Sequence, residues 1–197
     1  AIANLVEPEY QKKMNKRILS RLCSAHLRGC PQELSNCVDS AEREYLPRGI
    51  TETLSTLDFI DSGLNVCILG PSDSGKSYLA KAIGIVACNN YKVEYHHCET
   101  LLEELVALKA VDYSKYQKRL KKTCGAALLI FDDFLLHTIT DEREVKILFE
   151  ILEKRCEINL STIICSQREP ASWSSMILND EVSANAILKR ATKHYTV

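Results

Sequence analysis

The sequence predicts an α/β fold in three layers, a central five-stranded parallel sheet with helices on both faces. Three observations predict it. Short apolar runs alternate along the chain with segments of helical period, as parallel strands joined by helical crossovers require. The run Asn65–Leu69 leads directly into GPSDSGKS at residues 70–77, the pattern of a Walker A phosphate-binding loop. The run Leu128-Leu129-Ile130-Phe131 ends in two carboxylates, Asp132 and Asp133. In a parallel sheet such strand ends line the ligand crevice.

The elements follow in chain order. Residues from about 8 to 27 read as a helix, with Met14, Ile18, Leu22 and Ala25 at three- and four-residue spacing. Lys12, Lys13, Lys16, Arg17 and Arg21 surround that stripe, so a helix packed on the core or on a neighbour is expected, with a DNA-contacting helix as the alternative. Gly29 to Pro31 breaks it. Residues 32–48 show no period, which sets 1–48 apart as an N-terminal helical extension and 49–197 as the core. Ile50 to Ser62 reads as one helix with Leu54, Leu57 and Ile60 on a face, stopped by Gly63. Strands are then expected at 65–69, 92–97, 126–131 and 161–166. Helices are expected at 75–89, 99–108, 113–122, 141–155 and 179–192. Tyr195-Thr196-Val197 opens a fifth strand.

Composition bounds the function. The chain has 197 residues, 46% hydrophobic and 26% charged, which fits one well-buried domain with a short appendage. A net charge of −1 excludes a polycation, so any nucleic-acid contact must use local patches or an assembly. No apolar run approaches the roughly 18 residues that span a bilayer. No secretory signal is visible, and a cytoplasmic protein with reduced thiols is expected. Of nine cysteines, Cys67, Cys88, Cys124 and Cys165 lie in or beside apolar runs, where a thiol acts as a small hydrophobe. Cys23, Cys30 and Cys37 with His26 match no common zinc spacing. The first residue is not Met, so a trimmed N-terminus is expected.

The phosphate loop assigns roles by chemistry. Backbone N–H groups of Gly70, Pro71, Ser72, Asp73, Ser74, Gly75, Lys76, Ser77 and Tyr78, those that carry one, are expected around the phosphates, with the helix N-terminus adding its dipole. Lys76 supplies a point charge for the β- and γ-phosphates of ATP, and the Ser77 hydroxyl is a ligand for Mg²⁺. Asp73 is an unusual acid at that place and is expected to weaken binding unless it points to solvent. Asp132 is expected to face the Mg²⁺ held by Ser77, and Asp133 to orient or deprotonate a water. The plainer reading of the pair is two Asp residues capping a turn. Ser166 or Gln167, at the tip of the strand at 161–166, is placed to sense the γ-phosphate. The strand at 92–97 is expected between the two site-bearing strands, the arrangement of ATP-hydrolysing machines; in simple nucleotide kinases those strands are neighbours.

These residues resemble a known family. The runs Leu57-Asp58-Phe59-Ile60, GPSDSGKS, Leu101-Leu102-Glu103-Glu104-Leu105, Asp132-Asp133-Phe134, Leu148 to Arg155, Ser161 to Gln167 and Ala186 to Arg190 are similar to the IstB-like ATP-binding proteins. These are transposition helper ATPases, relatives of the DnaC-type loaders of the replicative helicase, and both belong to the AAA+ class. The resemblance covers about residues 45–197. It implies side-by-side assembly into a homo-oligomer with ATP at the subunit boundary, and Arg190 matches the arginine that reaches a neighbour's γ-phosphate. It implies Ser166 as the sensor, DNA as a partner, and a transposase or a replicative helicase as client. In this clade the region holding Lys115, Lys118, Arg119, Lys121 and Lys122 carries an extra helical element facing DNA; a solvated helix face is the plainer reading. Family members continue past Tyr195 through a fifth strand and a basic segment, so a C-terminal truncation is expected. A small-molecule kinase is the distant alternative.

Overall fold

The computed structural model describes residues 3–41, 43–177, 181–192 and 194–197. Five strands form one sheet: β1 (Asn65–Leu69), β2 (Val93–His97), β3 (Leu128–Asp132), β4 (Ser161–Ser166) and β5 (His194–Thr196). Their order is β2-β3-β4-β1-β5 and every pairing is parallel. The side-chain period of two explains the layers. Val66 and Ile68 of β1, Ile130 of β3 and Ile163 and Cys165 of β4 enter one buried cluster. Cys67, Leu129, Phe131 and Ile164, the residues between, enter a second cluster on the opposite face. Both faces are covered, so the strands read as continuous apolar runs.

Helices fill the two outer layers. The first cluster packs α4 (Lys76–Ala87) through Leu79, Ala80 and Ile83. The second packs α5 (Cys98–Val111), α6 (Tyr113–Cys124) and α7 (Glu142–Glu157). Asp112 and Asp141 start α6 and α7 as N-caps, accepting the N–H groups of Lys115 at 3.0 Å and Arg143 at 2.8 Å. The last helix, α8, is Glu181–Ala191; its expected start at Asn179 lies outside the described residues. Among the described residues no helix is long and apolar enough to cross a membrane.

Three expectations change. The strand between β1 and β3 is β4, and β2 is an edge strand. The reason is composition: β4 is buried and nearly all apolar or small, whereas β2 carries Glu94, which needs Arg119 and Lys122 as partners, and His96 and His97, the latter open to solvent. The helix expected from Ile50 to Ser62 is two, α2 (Ile50–Ser55) and α3 (Asp58–Asp61), broken where Leu57 takes φ 63° and buries its side chain. In the first helix, α1 (Ala3–Ser24), the side chains described from residue 9 onward pack at the C-terminal end. Residues 9–20 are exposed apart from half-buried Met14 and Ile18, while Leu22 and Ala25 join the core. Arg21 Nη1 donates to the carbonyls of Cys88 at 3.2 Å and Asn89 at 2.5 Å, covering the C-terminal end of α4.

Gly63 is required twice over. Its φ is +64°, and a Cβ there would stand 2.4 Å from the Asn159 side chain and 2.5 Å from its backbone oxygen. Gly63→Ala is therefore expected to cost about 1–3 kcal/mol in urea unfolding. A loss within a few tenths would show that the α3–β1 corner relaxes freely.

Candidate functional site

Register brings the site together. β1 and β4 pair Leu69 with Ser166, and β2 and β3 pair His97 with Asp132, so the four C-terminal strand ends meet at one edge. The chain leaves β1 at Gly70 and wraps through residues 71–75 into α4. Gly75, the N-cap of α4, has φ 93° and Asp73 has φ 58°; both turns use the left-handed region. Lys76 is buried, and its ammonium donates to the Pro71 carbonyl and, at 3.4 Å, to Ser74 Oγ. The Asp73 side chain is exposed to solvent.

Both halves of the site touch. Ser77 Oγ donates to Asp132 Oδ1 at 2.9 Å across 55 positions of sequence. Asp132 is 1% exposed, and its carboxylate also accepts from the Asp133 N–H at 3.0 Å and from the Tyr95 hydroxyl. Burial first, then the hydrogen bond and charge of Asp132, push the Tyr95 phenol far above its ordinary value, so it remains a donor. Asp133 follows with φ 52°, which turns its carboxylate out of the strand. His97 Nδ1 lies 3.0 Å from Asp133 Oδ2, with both side chains partly open to solvent. Oxygen donors paired this way fit a hard divalent cation that retains several waters.

The remaining expected residues sit as follows. Ser166 is fully buried; its hydroxyl donates to the Phe134 carbonyl at 2.9 Å and accepts the Arg168 N–H at 3.2 Å. It thereby ties β4 to the turn holding Asp133, and of the two residues expected at that tip Gln167 is the exposed one. The Tyr78 hydroxyl faces the N-terminal segment, accepting from Glu33 N–H at 3.3 Å and Asn36 Nδ2 at 3.4 Å. Arg190 packs on α7, with Nη2 3.1 Å from Glu153 Oε1 and its guanidinium 4.8 Å from the Phe149 ring. Arg190 does not line the cavity at the phosphate loop of its own chain.

The basic helix α6 is less free than its sequence implies. Arg119 donates to Glu94 at 3.3 Å and to Glu104 at 2.8 Å, and Lys122 pairs with Glu94 at 2.8 Å. Lys115 pairs with its own cap, Asp112, at 3.3 Å. Burial would raise the Glu94 carboxyl, but hydrogen bonds from His96 and Lys122 hold it below its ordinary range. Of the expected cations, exposed Lys118 and Lys121 remain outside these pairs.

Sequence reasoning missed one wall of the site. A cavity of about 510 Å³ opens beside the phosphate loop. Ile68, Leu69, Gly70, Asp73, Ser74 and Lys76 form one side, and Asn36, Val38, Arg43, Tyr45 and Leu46 form the other. Val38 and Leu46 are 60% and 57% exposed, large apolar side chains left open on a cavity rim. Among its described residues the segment holds one short 3-10 turn, Leu34–Asn36, so no period marked it. Tyr95 and His97 were also missed, although they stand at alternate positions at the end of a strand.

The chain is similar to known proteins in sequence and in fold. The family model described as IstB-like ATP binding protein matches residues 1–197. A protein of Sinorhizobium fredii (strain NGR234), described as an insertion sequence ATP-binding protein, is 36% identical over 190 residues, covering 96% of this chain and 74% of its own. The crystal structure of the DnaC helicase loader superposes with a TM-score of 0.63 at 18% identity, covering 84% of this chain and 96% of that one. AMPPCP-bound DnaA from Aquifex aeolicus superposes with a TM-score of 0.66 at 20% identity. This chain spans about half of it, 49%. At such identities the structures show the shared fold alone.

Proposed function

The chain belongs to the IstB-like ATP-binding protein family, with an AAA+ fold, and from that premise we propose that it hydrolyses ATP to assist DNA transposition by recruiting or regulating a transposase. The observation that carries the hydrolytic reading is the 2.9 Å contact between Ser77 and Asp132, which joins the phosphate loop to the carboxylate strand. Loop N–H groups and Lys76 hold the phosphates. Ser77 and Asp132 are the residues that would hold Mg²⁺, which supplies charge neutralisation at the phosphates. Asp133 takes the proton of the attacking water, and His97 fixes its orientation. The open rim of Val38 and Leu46 suits the face of a purine base. The chain divides into an N-terminal helical extension, 1–48, and an ATPase core, 49–197, with part of the extension lining the nucleotide site.

Exposed Lys118 and Lys121 on α6 support DNA contact through phosphate charges. Arg190, on a helix remote from its own loop, is assigned to the site of an adjoining copy. The name of the Sinorhizobium relative and its 36% identity favour a transposition client over a replicative helicase, since the loader shares 18%. The test is phosphate release from ATP with and without DNA, beside capture of a purified transposase and a purified replicative helicase. DNA-stimulated release lost in Asp132→Ala, with the transposase retained, supports the reading. Phosphate transfer to a nucleoside without release identifies a kinase and defeats it.

A further inference from the structure

We propose that Arg43, from the irregular N-terminal segment, is a second phosphate-binding cation of the nucleotide site, acting beside Lys76. This rests on the reading of that site as an ATP site. The first observation is contact. The space that a Cβ at Gly75 would fill is taken by Arg43, with Cζ at 2.9 Å and Nε and Nη1 each at 3.1 Å. The guanidinium thus lies against the N-cap of α4, where the first N–H groups of the helix have no partner within it. Those N–H groups and a guanidinium are all donors. They repel one another unless an anion lies between them.

The second observation is what Arg43 lacks. Its side chain is half-buried, and its hydrogen bond, Nη1 to the Tyr45 hydroxyl, is long at 3.4 Å. Among the described residues no carboxylate forms an ion pair with it. Neighbouring Glu44 pairs instead with Arg48 at 3.5 Å on the surface. An arginine that no described carboxylate engages, set at a phosphate loop, is suited to bidentate phosphate recognition.

The third observation is that its position is fixed by the fold. Cys37 and Tyr45 anchor the segment in the core on either side of Arg43. Asp39 Oδ1 accepts the Tyr45 N–H at 2.8 Å, and the Ser40 N–H donates to the Arg43 carbonyl at 2.7 Å. The turn therefore holds the arginine over the cavity that Lys76 and Asp73 also line. Arg43 thus adds a second cation to Lys76 at a loop whose own acid, Asp73, points to solvent.

Calorimetric titration of the whole chain with ATP, ADP and AMP tests this. Arg43→Gln is expected to weaken ATP and ADP by about 10–100-fold, the worth of one charge-assisted contact, and AMP by less than about threefold. Arg43→Lys, which keeps charge but loses the fork, is expected to fall between. Unchanged or tighter ATP binding in Arg43→Gln, with binding lost in Lys76→Ala, overturns the Arg43 assignment and leaves the ATP site standing. An equal loss for AMP and ATP assigns Arg43 to the cavity wall and overturns its phosphate role. A wild-type chain that binds no ATP overturns the site reading and this proposal with it.

Discussion

Asp133→Asn is expected to slow ATP turnover by about 10²–10⁴-fold, the usual worth of a positioned general base. ATP binding is expected to stay close to wild type. The two adjacent carboxylates predict opposite phenotypes. Asp132 is 1% exposed and saturated by Ser77, Tyr95 and the Asp133 N–H, so its replacement disturbs binding and the fold around the loop. The Asp133 side chain is 38% exposed and, among the described residues, hydrogen-bonds to His97, so amide replacement removes a proton acceptor at little structural cost. Single-turnover phosphate release measured beside equilibrium ATP binding separates them. Turnover within about threefold of wild type would remove Asp133 from the chemistry. A matching loss of binding would make it a positioning residue for the loop.

What was legible in the sequence divides by range. The phosphate loop and the Asp132-Asp133 pair are contiguous runs flanked by strand and helix patterns, and the fold places them as those patterns require. The parallel sheet was legible because both its faces are buried and its strands are uniformly apolar. Order within the sheet was not, since hydrophobicity alone does not rank edge against centre; the polar residues of β2 held that information. The left-handed turn at Leu57 was hidden because leucine rarely adopts it and the helical period runs through it. Arg119 and Lys122 read as a solvent-facing basic stripe because their partner, Glu94, lies 25 and 28 positions earlier on another element. Arg43 was invisible for the same reason: its contact with Gly75 is made by a segment with no period at all.

The same principle governs the largest expected loss of stability. Arg155, near the end of α7, reads in sequence as an ordinary basic residue facing a helix C-terminus. It is 1% exposed. Its Nε donates to Thr162 Oγ1 at 3.0 Å, and Nη1 to the carbonyls of Thr123, Cys124 and Ala126 at 3.2, 3.0 and 2.7 Å. Nη2 donates to the Ser161 carbonyl. One guanidinium therefore terminates α6, the approach to β3 and the start of β4. Burial pushes its pKa down to about 9, which still leaves it protonated at neutral pH with every donor in place. Arg155→Met keeps much of the stem but strands a set of buried carbonyls, so a loss of about 3–5 kcal/mol is expected. Against a typical total of about 5–15 kcal/mol, that leaves the domain marginal. The single tryptophan, Trp173, is buried against Phe134 and reports urea unfolding by fluorescence. Arg143→Met, at an exposed pair with Asp141, is expected to cost under about 1 kcal/mol in the same assay. Equal midpoints for the two variants would show that water enters to satisfy the carbonyls and that Arg155 is not the staple its hydrogen bonds describe.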